Sequence, residues 1–163
     1  MTILYITPQA WRQIERAVRK NPALETGGIL MGYALNETDW LVTYASEPGP
    51  NAQQARLSVR FDDKYLRQLA KRLKRRTRWE YIGDWHSHTI RRLTPSKADK
   101  RTVREKASSA KYTSASPVML IVGLGKHHQV QARGYILTDS LREVQRIALK
   151  DGPTRRPRGG TRL

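Results

Sequence analysis

The chain has 163 residues, 38% of them hydrophobic, which suits one domain with one buried core. It contains no cysteine, so a disulfide framework, thiolate metal ligands and a cysteine nucleophile are all excluded, and any metal must be held by His and carboxylate. Lys and Arg number 31 against 14 acids, a net charge of +17 that points either to an acidic protein or nucleic-acid partner or to a solvated basic surface.

Residues 2–6 (TILYI) form an apolar, β-prone run that predicts a strand. Pro8 then suits a first helical turn, and Trp11, Ile14 and Val18 recur at helical spacing, predicting a helix that ends near Asn21-Pro22. Residues 27–34 (GGILMGYA) and 40–46 (WLVTYAS) predict two strands joined by a polar turn, hence a hairpin. Residues 47–56 have loop composition, and Leu57-Ser58-Val59 suggests a short strand. Over 62–76, Tyr65, Leu66, Leu69 and Leu73 share one helical face, while the stretch Lys64–Arg78 carries eight Lys or Arg and no acid.

Further on, residues 79–86 (WEYIGDWH) predict a strand and 97–111 a polar, basic helix. Residues 117–123 (PVMLIVG) predict a central strand with 129–137 as its neighbour, and Leu141, Val144 and Ile147 mark a last helix. After residue 150 the Gly-, Pro- and Arg-rich tail, 151–163, predicts disorder. The expected fold class is therefore α/β (α+β): a single domain over 1–150 with one mixed β-sheet flanked by helices. No stretch approaches the roughly 20 apolar residues of a membrane helix. The opening MTILYITPQAW does not read as a signal peptide, so the expected location is cytoplasmic.

The chemistry concentrates in His86-Ser87-His88 and, downstream, Ser96-Lys97-Ala98-Asp99. In an extended segment alternate side chains share a side, so His86 and His88 can aim both imidazoles at one point. A catalytic zinc takes three protein ligands and keeps an open position. Asp99 is the candidate third ligand, because Thr94-Pro95-Ser96 reads as a helix start with Ser96 as N-cap and Asp99 in the first turn. Each fragment alone has an ordinary reading: polar surface for the histidines, a helix-capping pattern for Ser-x-x-Asp. A hydrolytic site also needs a general base, and Glu25, ahead of Thr26-Gly27-Gly28, is the candidate; by itself it reads better as a surface Glu at a strand start.

Together, Glu25-Thr26-Gly27-Gly28-Ile29-Leu30-Met31-Gly32, His86-Ser87-His88, Ser96 and Asp99 resemble the JAB/MPN metalloprotease family, whose motif is a Glu, then H-[ST]-H, then x7-S-x2-D. The resemblance covers roughly residues 1–150 and every motif position is filled. It implies a curved mixed sheet with flanking helices, cytidine deaminase-like, and Zn2+ held by His86, His88 and Asp99. It implies Glu25 as the residue that deprotonates the attacking water and Ser96 as a donor to the oxyanion. It implies cleavage of isopeptide or peptide bonds after the C-terminus of a ubiquitin-like protein or conjugated protein, as in the stand-alone prokaryotic members, some of which serve anti-phage defence operons. Family members often carry Pro after the second His; this chain has Thr89.

Other readings follow from single features. A catalytically silent scaffold of the same family is one alternative, and a nucleic-acid-associated protein of the RadC-like kind, argued from the charge, is another. Trp79 and Trp85 flank the site strand and either pack the core or line a groove for a substrate tail, with alternation favouring core for Trp85. Asp84 reads either as a partner orienting a histidine ring or as a surface acid. His127-His128 reads as a polar hairpin tip ahead of a second metal site. Lys64–Arg78 is the best candidate surface for an acidic partner or nucleic acid.

Overall fold

The structure, a computed structural model, describes residues 1–109 and 116–152. Strand β1 (Ile3–Ile6) runs into helix α1 (Pro8–Lys20), whose first turn is closed by the Thr7 hydroxyl accepting from the Ala10 N–H at 3.2 Å. Arg19 and Lys20 lie in its last turn, the sign that suits the C-terminal end of a helix dipole. Strands β2 (Gly27–Ala34) and β3 (Trp40–Ala45) form the expected antiparallel hairpin. Helix α2 (Asp63–Thr77) leads into β6 (Glu80–Ser87), preceded by a two-stranded hairpin of β4 (Gln53–Gln54) and β5 (Val59–Arg60). Helix α3 (Lys97–Ser108), β7 (Val118–Leu124), β8 (Val130–Leu137), β9 (Leu141–Glu143) and β10 (Arg146–Leu149) complete the order.

Eight strands make one mixed sheet in the order β10-β1-β3-β2-β6-β7-β8-β9. It curls strongly: the Val144 N–H donates to the Gly134 carbonyl at 2.8 Å, and the Gln145 N–H donates to the Thr2 carbonyl at 2.8 Å. Helix α1 lies against one face, where Ala10, Ile14, Ala17 and Val18 pack with Leu4, Val42, Trp85 and Leu120. Helix α2 covers the other, Leu66 and Leu69 meeting Ile29, Met31 and Tyr81. Trp85 is fully buried, its indole N–H donating to the Ser46 carbonyl at 2.9 Å, while Trp79 stacks on Tyr44. Helix α3 is the exception among the three helices, because Val103 is its one buried side chain. One such side chain contributes roughly 1.5–3 kcal/mol, against about 1–2 kcal/mol to order each helical residue's backbone.

Two expectations are corrected. The helix expected from Leu141, Val144 and Ile147 is absent; the segment forms β9 and β10, which pair with β8 and β1. Three apolar residues spaced by three span too little chain to fix a period, and the free edges of β1 and β8 supply backbone partners that a helix would not need. Residues 47–56, expected as loop, contain β4, and the short strand expected over 57–59 is shifted to Val59–Arg60. The helix expected over 97–111 ends at Ser108 with Ser109 as its C-cap, while residues 110–111 and the tail beyond 152, with Gly159-Gly160, lie outside the described residues.

Candidate active site

The site forms at the carboxyl end of β6. Its neighbours there differ in direction: β2 runs antiparallel and β7 parallel. The antiparallel register pairs Gly27 with His86, so the residues just before β2 lie beside the histidines. The parallel neighbour forces a long crossover, and that crossover carries Ser96 and Asp99.

His86 and His88 both turn toward this crossover, with Nε2 atoms 3.0 Å apart. Each Nε2 is 3.2 Å from Asp99 Oδ2. Ser96 caps α3: its hydroxyl oxygen accepts from the Asp99 N–H at 3.0 Å while its own N–H donates to Asp99 Oδ2 at 2.8 Å. The cap thus fixes the carboxylate, and among the described residues the Ser96 hydroxyl proton meets no acceptor. Ser87, between the histidines, faces the other way and clamps Thr26. Its Oγ accepts from the Thr26 N–H at 2.9 Å, and its N–H donates to the Thr26 carbonyl at 2.8 Å. Glu25 is held through its main chain by the β4–β5 hairpin, its N–H donating to the Ala55 carbonyl and its carbonyl accepting from Gln54 Nε2. That leaves its side chain directed to the cleft it lines, the residue as a whole being 8% exposed.

The donor set fits a zinc ion on its own chemistry. His88 Nδ1 lies 2.8 Å from the Arg92 carbonyl, which can only accept, so Nδ1 carries a proton. In the neutral ring Nε2 is then a lone pair, aimed at a second imidazole nitrogen and a carboxylate oxygen. Three such acceptors converge stably only on a cation or a proton. Ligand atoms 3.0–3.2 Å apart also come close to the edge of about 3.3 Å of a tetrahedron with Zn–N and Zn–O bonds near 2.0–2.1 Å.

The charges agree with this. Burial works against an ionised Asp99 more than any other effect, yet the hydrogen bonds from His86 and His88 hold its carboxyl well below the usual carboxylate range. Burial likewise opposes charge on His88, but the bonds to Asp99 and Arg92 raise its pKa. Burial raises the pKa of Glu25, with His86 and His88 opposing. Such a carboxylate is a better proton acceptor than an exposed one.

The cleft, about 630 Å³, extends from the histidines and Ser96 past Asp84 to Lys106 and Phe61. The structure brings Glu25, His86, His88, Ser96 and Asp99 to one cleft. Asp84 neither orients a histidine nor lies at the surface. It pairs with Lys106 and accepts from the Tyr81 hydroxyl at 2.9 Å. Lys106 has no signal in the sequence, being one of many lysines. His127 and His128 occupy the exposed turn between β7 and β8, away from the cleft lining. The basic side chains of Lys64–Arg78 lie on the outward side of α2 and at its C-cap, with Lys74 paired to Glu80 at 3.0 Å.

Residues 7–134 match the family model described as prokaryotic homologs of the JAB domain. The chain belongs to that family. It is 30% identical over 104 residues to a protein of Enterobacter hormaechei subsp. hoffmannii (strain UCI 50) named CD-NTase/cGAS isopeptidase, an alignment covering 61% of this chain. The aligned part is 55% of that relative, so the chain spans about half its length. The solution structure of protein DSY2949 from Desulfitobacterium hafniense superposes with a TM-score of 0.68 at 22% identity, covering 93% of this chain and 94% of that one. This likeness concerns the fold. Among the described residues no helix is long and apolar enough to cross a membrane.

Proposed function

We propose that the protein is a zinc-dependent isopeptidase or peptidase that cuts after the C-terminus of a ubiquitin-like protein or a similarly conjugated protein. The observation that carries this reading is the convergence of His86 Nε2, His88 Nε2 and Asp99 Oδ2 in a cleft that Glu25 and Ser96 also line. Membership of a JAB family and the isopeptidase name of the relative support it.

His86, His88 and Asp99 would hold the zinc. When bound, zinc supplies Lewis acidity, which polarises a carbonyl and makes water a stronger acid. Glu25, ionised and partly desolvated, takes the proton of the attacking water. As the C–N bond breaks, it returns that proton to the departing amine. The water oxygen ends in the new carboxylate. Ser96, its hydroxyl proton uncommitted, donates to the oxyanion while its oxygen continues to cap α3.

The substrate we favour is a cytoplasmic protein conjugate of the kind named for the relative, a modified nucleotidyltransferase. The basic outer face of α2 offers such a conjugate a docking surface for acidic residues. The test is zinc content together with hydrolysis of an isopeptide-linked conjugate. The purified protein is expected to contain zinc and lose turnover on Glu25→Ala. Absence of zinc, with cleavage unchanged by Glu25→Ala, would overturn the reading.

A further inference from the structure

Helix α3 supplies one metal-ligand candidate and the oxyanion-donor candidate, yet it buries only Val103. Among the described residues, apolar packing therefore gives this helix little hold on β6. Lys106 lies seven residues after Asp99, about two turns along and on the same helix face. Asp84 lies two residues before His86, on the same face of β6. The two elements therefore meet twice, once where Asp99 faces the histidines and once where the Lys106 ammonium pairs with the Asp84 carboxylate. At this second contact the side chains are 11% and 15% exposed, and the Tyr81 hydroxyl occupies the other Asp84 oxygen.

Lys106 also reaches a third element. Its ammonium lies 4.9 Å from the centroid of the Phe61 ring, a cation–π contact. Phe61 directly follows β5, and the β4–β5 hairpin holds the main chain of Glu25. One lysine thus touches the strand of the histidines, the segment leading from the base-holding hairpin, and the helix of Asp99. Its partners among the described residues include Asp84 and Phe61.

We propose that Lys106, through Asp84 and Phe61, is a positioning residue that sets α3 against β6 and thereby fixes Asp99 at metal-binding distance from His86 and His88. The proposal rests on the reading of these three residues as metal ligands. It differs from a general stabilising role in one respect: loss of the ion pair should change metal binding even where the fold survives.

The probe is Co2+ added to metal-free, full-length protein, followed by its visible absorption, with a thermal melt alongside. Lys106→Met keeps the stem and removes the charge. Asp84→Asn combined with Lys106→Met removes both charges, so no buried carboxylate is left unpaired. Lys126→Met, in the exposed β7–β8 turn, is the control. Removing partners that orient metal ligands typically costs about 10–100-fold in affinity. Both Lys106 variants are expected to bind Co2+ at least tenfold more weakly, with weaker visible bands as the carboxylate leaves the coordination sphere. The double variant should melt nearer the wild type than Lys106→Met does, and Lys126→Met should match the wild type throughout. If Lys106→Met does not fold, the double variant decides. Wild-type affinity and spectrum in a folded Lys106 variant would overturn the proposal while leaving the metal site standing. Failure of the wild type to bind Co2+ would remove the metal site and the proposal with it.

Discussion

Ser87 sits between two metal-ligand candidates, but its side chain points away from them. Its Oγ is the acceptor for the Thr26 N–H at 2.9 Å, and Thr26 and Ser87 are only 4% and 3% exposed. Ser87→Ala removes that acceptor and admits no water in its place. A buried donor left unpaired costs about 1–3 kcal/mol. In a domain of this size each kcal/mol lowers Tm by about 2–4 °C, so a fall of roughly 2–12 °C is expected for the metal-free protein. Thr26 adjoins Glu25, so the proposed base loses part of its anchor, and a displacement near 1 Å can cost about a hundredfold in rate. The histidines project from the other face of β6 and should keep their metal affinity. The assay is circular-dichroism melting, metal titration and turnover on the same sample. Ser87→Thr retains a hydroxyl and should retain all three properties. A Tm unchanged within about 1 °C would refute the clamp. So would a loss of metal affinity as large as that of His88→Ala.

The other predictions divide the site by role. His88→Ala should lower zinc content, whereas Glu25→Ala should keep zinc and lose about 10²–10⁴-fold in turnover; equal loss of metal from both would refute the assignment of Glu25 as base. In the metal-free protein the raised pKa of His88 means that its charge stabilises the fold below the ordinary value of 6.5, a contribution lost as pH rises through the raised pKa. Metal must displace that proton, so affinity for Co2+ should rise with pH across this range, and an affinity constant between about pH 6 and 8 would contradict it. Gly83→Ala would place a Cβ 1.8 Å from the Val118 carbonyl oxygen at a φ of +155°, forcing β6 and β7 apart. Overpacking and backbone strain together suggest a loss of about 2–6 kcal/mol, read as a lowered Tm or insoluble protein; a melt like the wild type would refute the close strand approach.

Legibility in the sequence followed the range of the interaction. Helix α1, the β2–β3 hairpin and β7 were readable because their periodicity is local and several residues long. His86, His88, Ser96 and Asp99 were readable for the same reason: two alternate across the end of a strand, and two are the N-cap and first turn of a helix. Glu25 has no such local signature, and only its place in a matching E-T-G-G segment singled it out. Strand β4 left no trace, since Gln53 and Gln54 are exposed and show no apolar alternation. Leu141, Val144 and Ile147 imitated a helix because Leu141 and Ile147 belong to strands only three and four residues long and Val144 lies between them. The Asp84–Lys106 pair joins residues 22 apart whose meeting depends on how α3 lies on the sheet. No spacing rule anticipates it.

The mixed direction of the sheet at β2-β6-β7 explains why one strand end can gather groups from three distant segments. An antiparallel neighbour brings the residue that precedes it to the end of β6, which is how Glu25 arrives without any side-chain bond to the histidines. A parallel neighbour requires a crossover of a dozen or more residues, long enough to fold a capped helix and present Asp99. Two antiparallel neighbours would supply a base but no third ligand, and two parallel ones the reverse. The same logic accounts for Thr89. Its hydroxyl donates to the Arg56 carbonyl at 2.6 Å, tying the start of the crossover to the turn of the hairpin that holds Glu25. Proline at this position has no donor. In this chain a side-chain bond therefore joins the two segments at this position. Thr89→Pro should therefore leave His88 in place and loosen the hairpin, lowering turnover with metal affinity kept. Loss of metal instead would mean that Thr89 shapes the ligand loop itself.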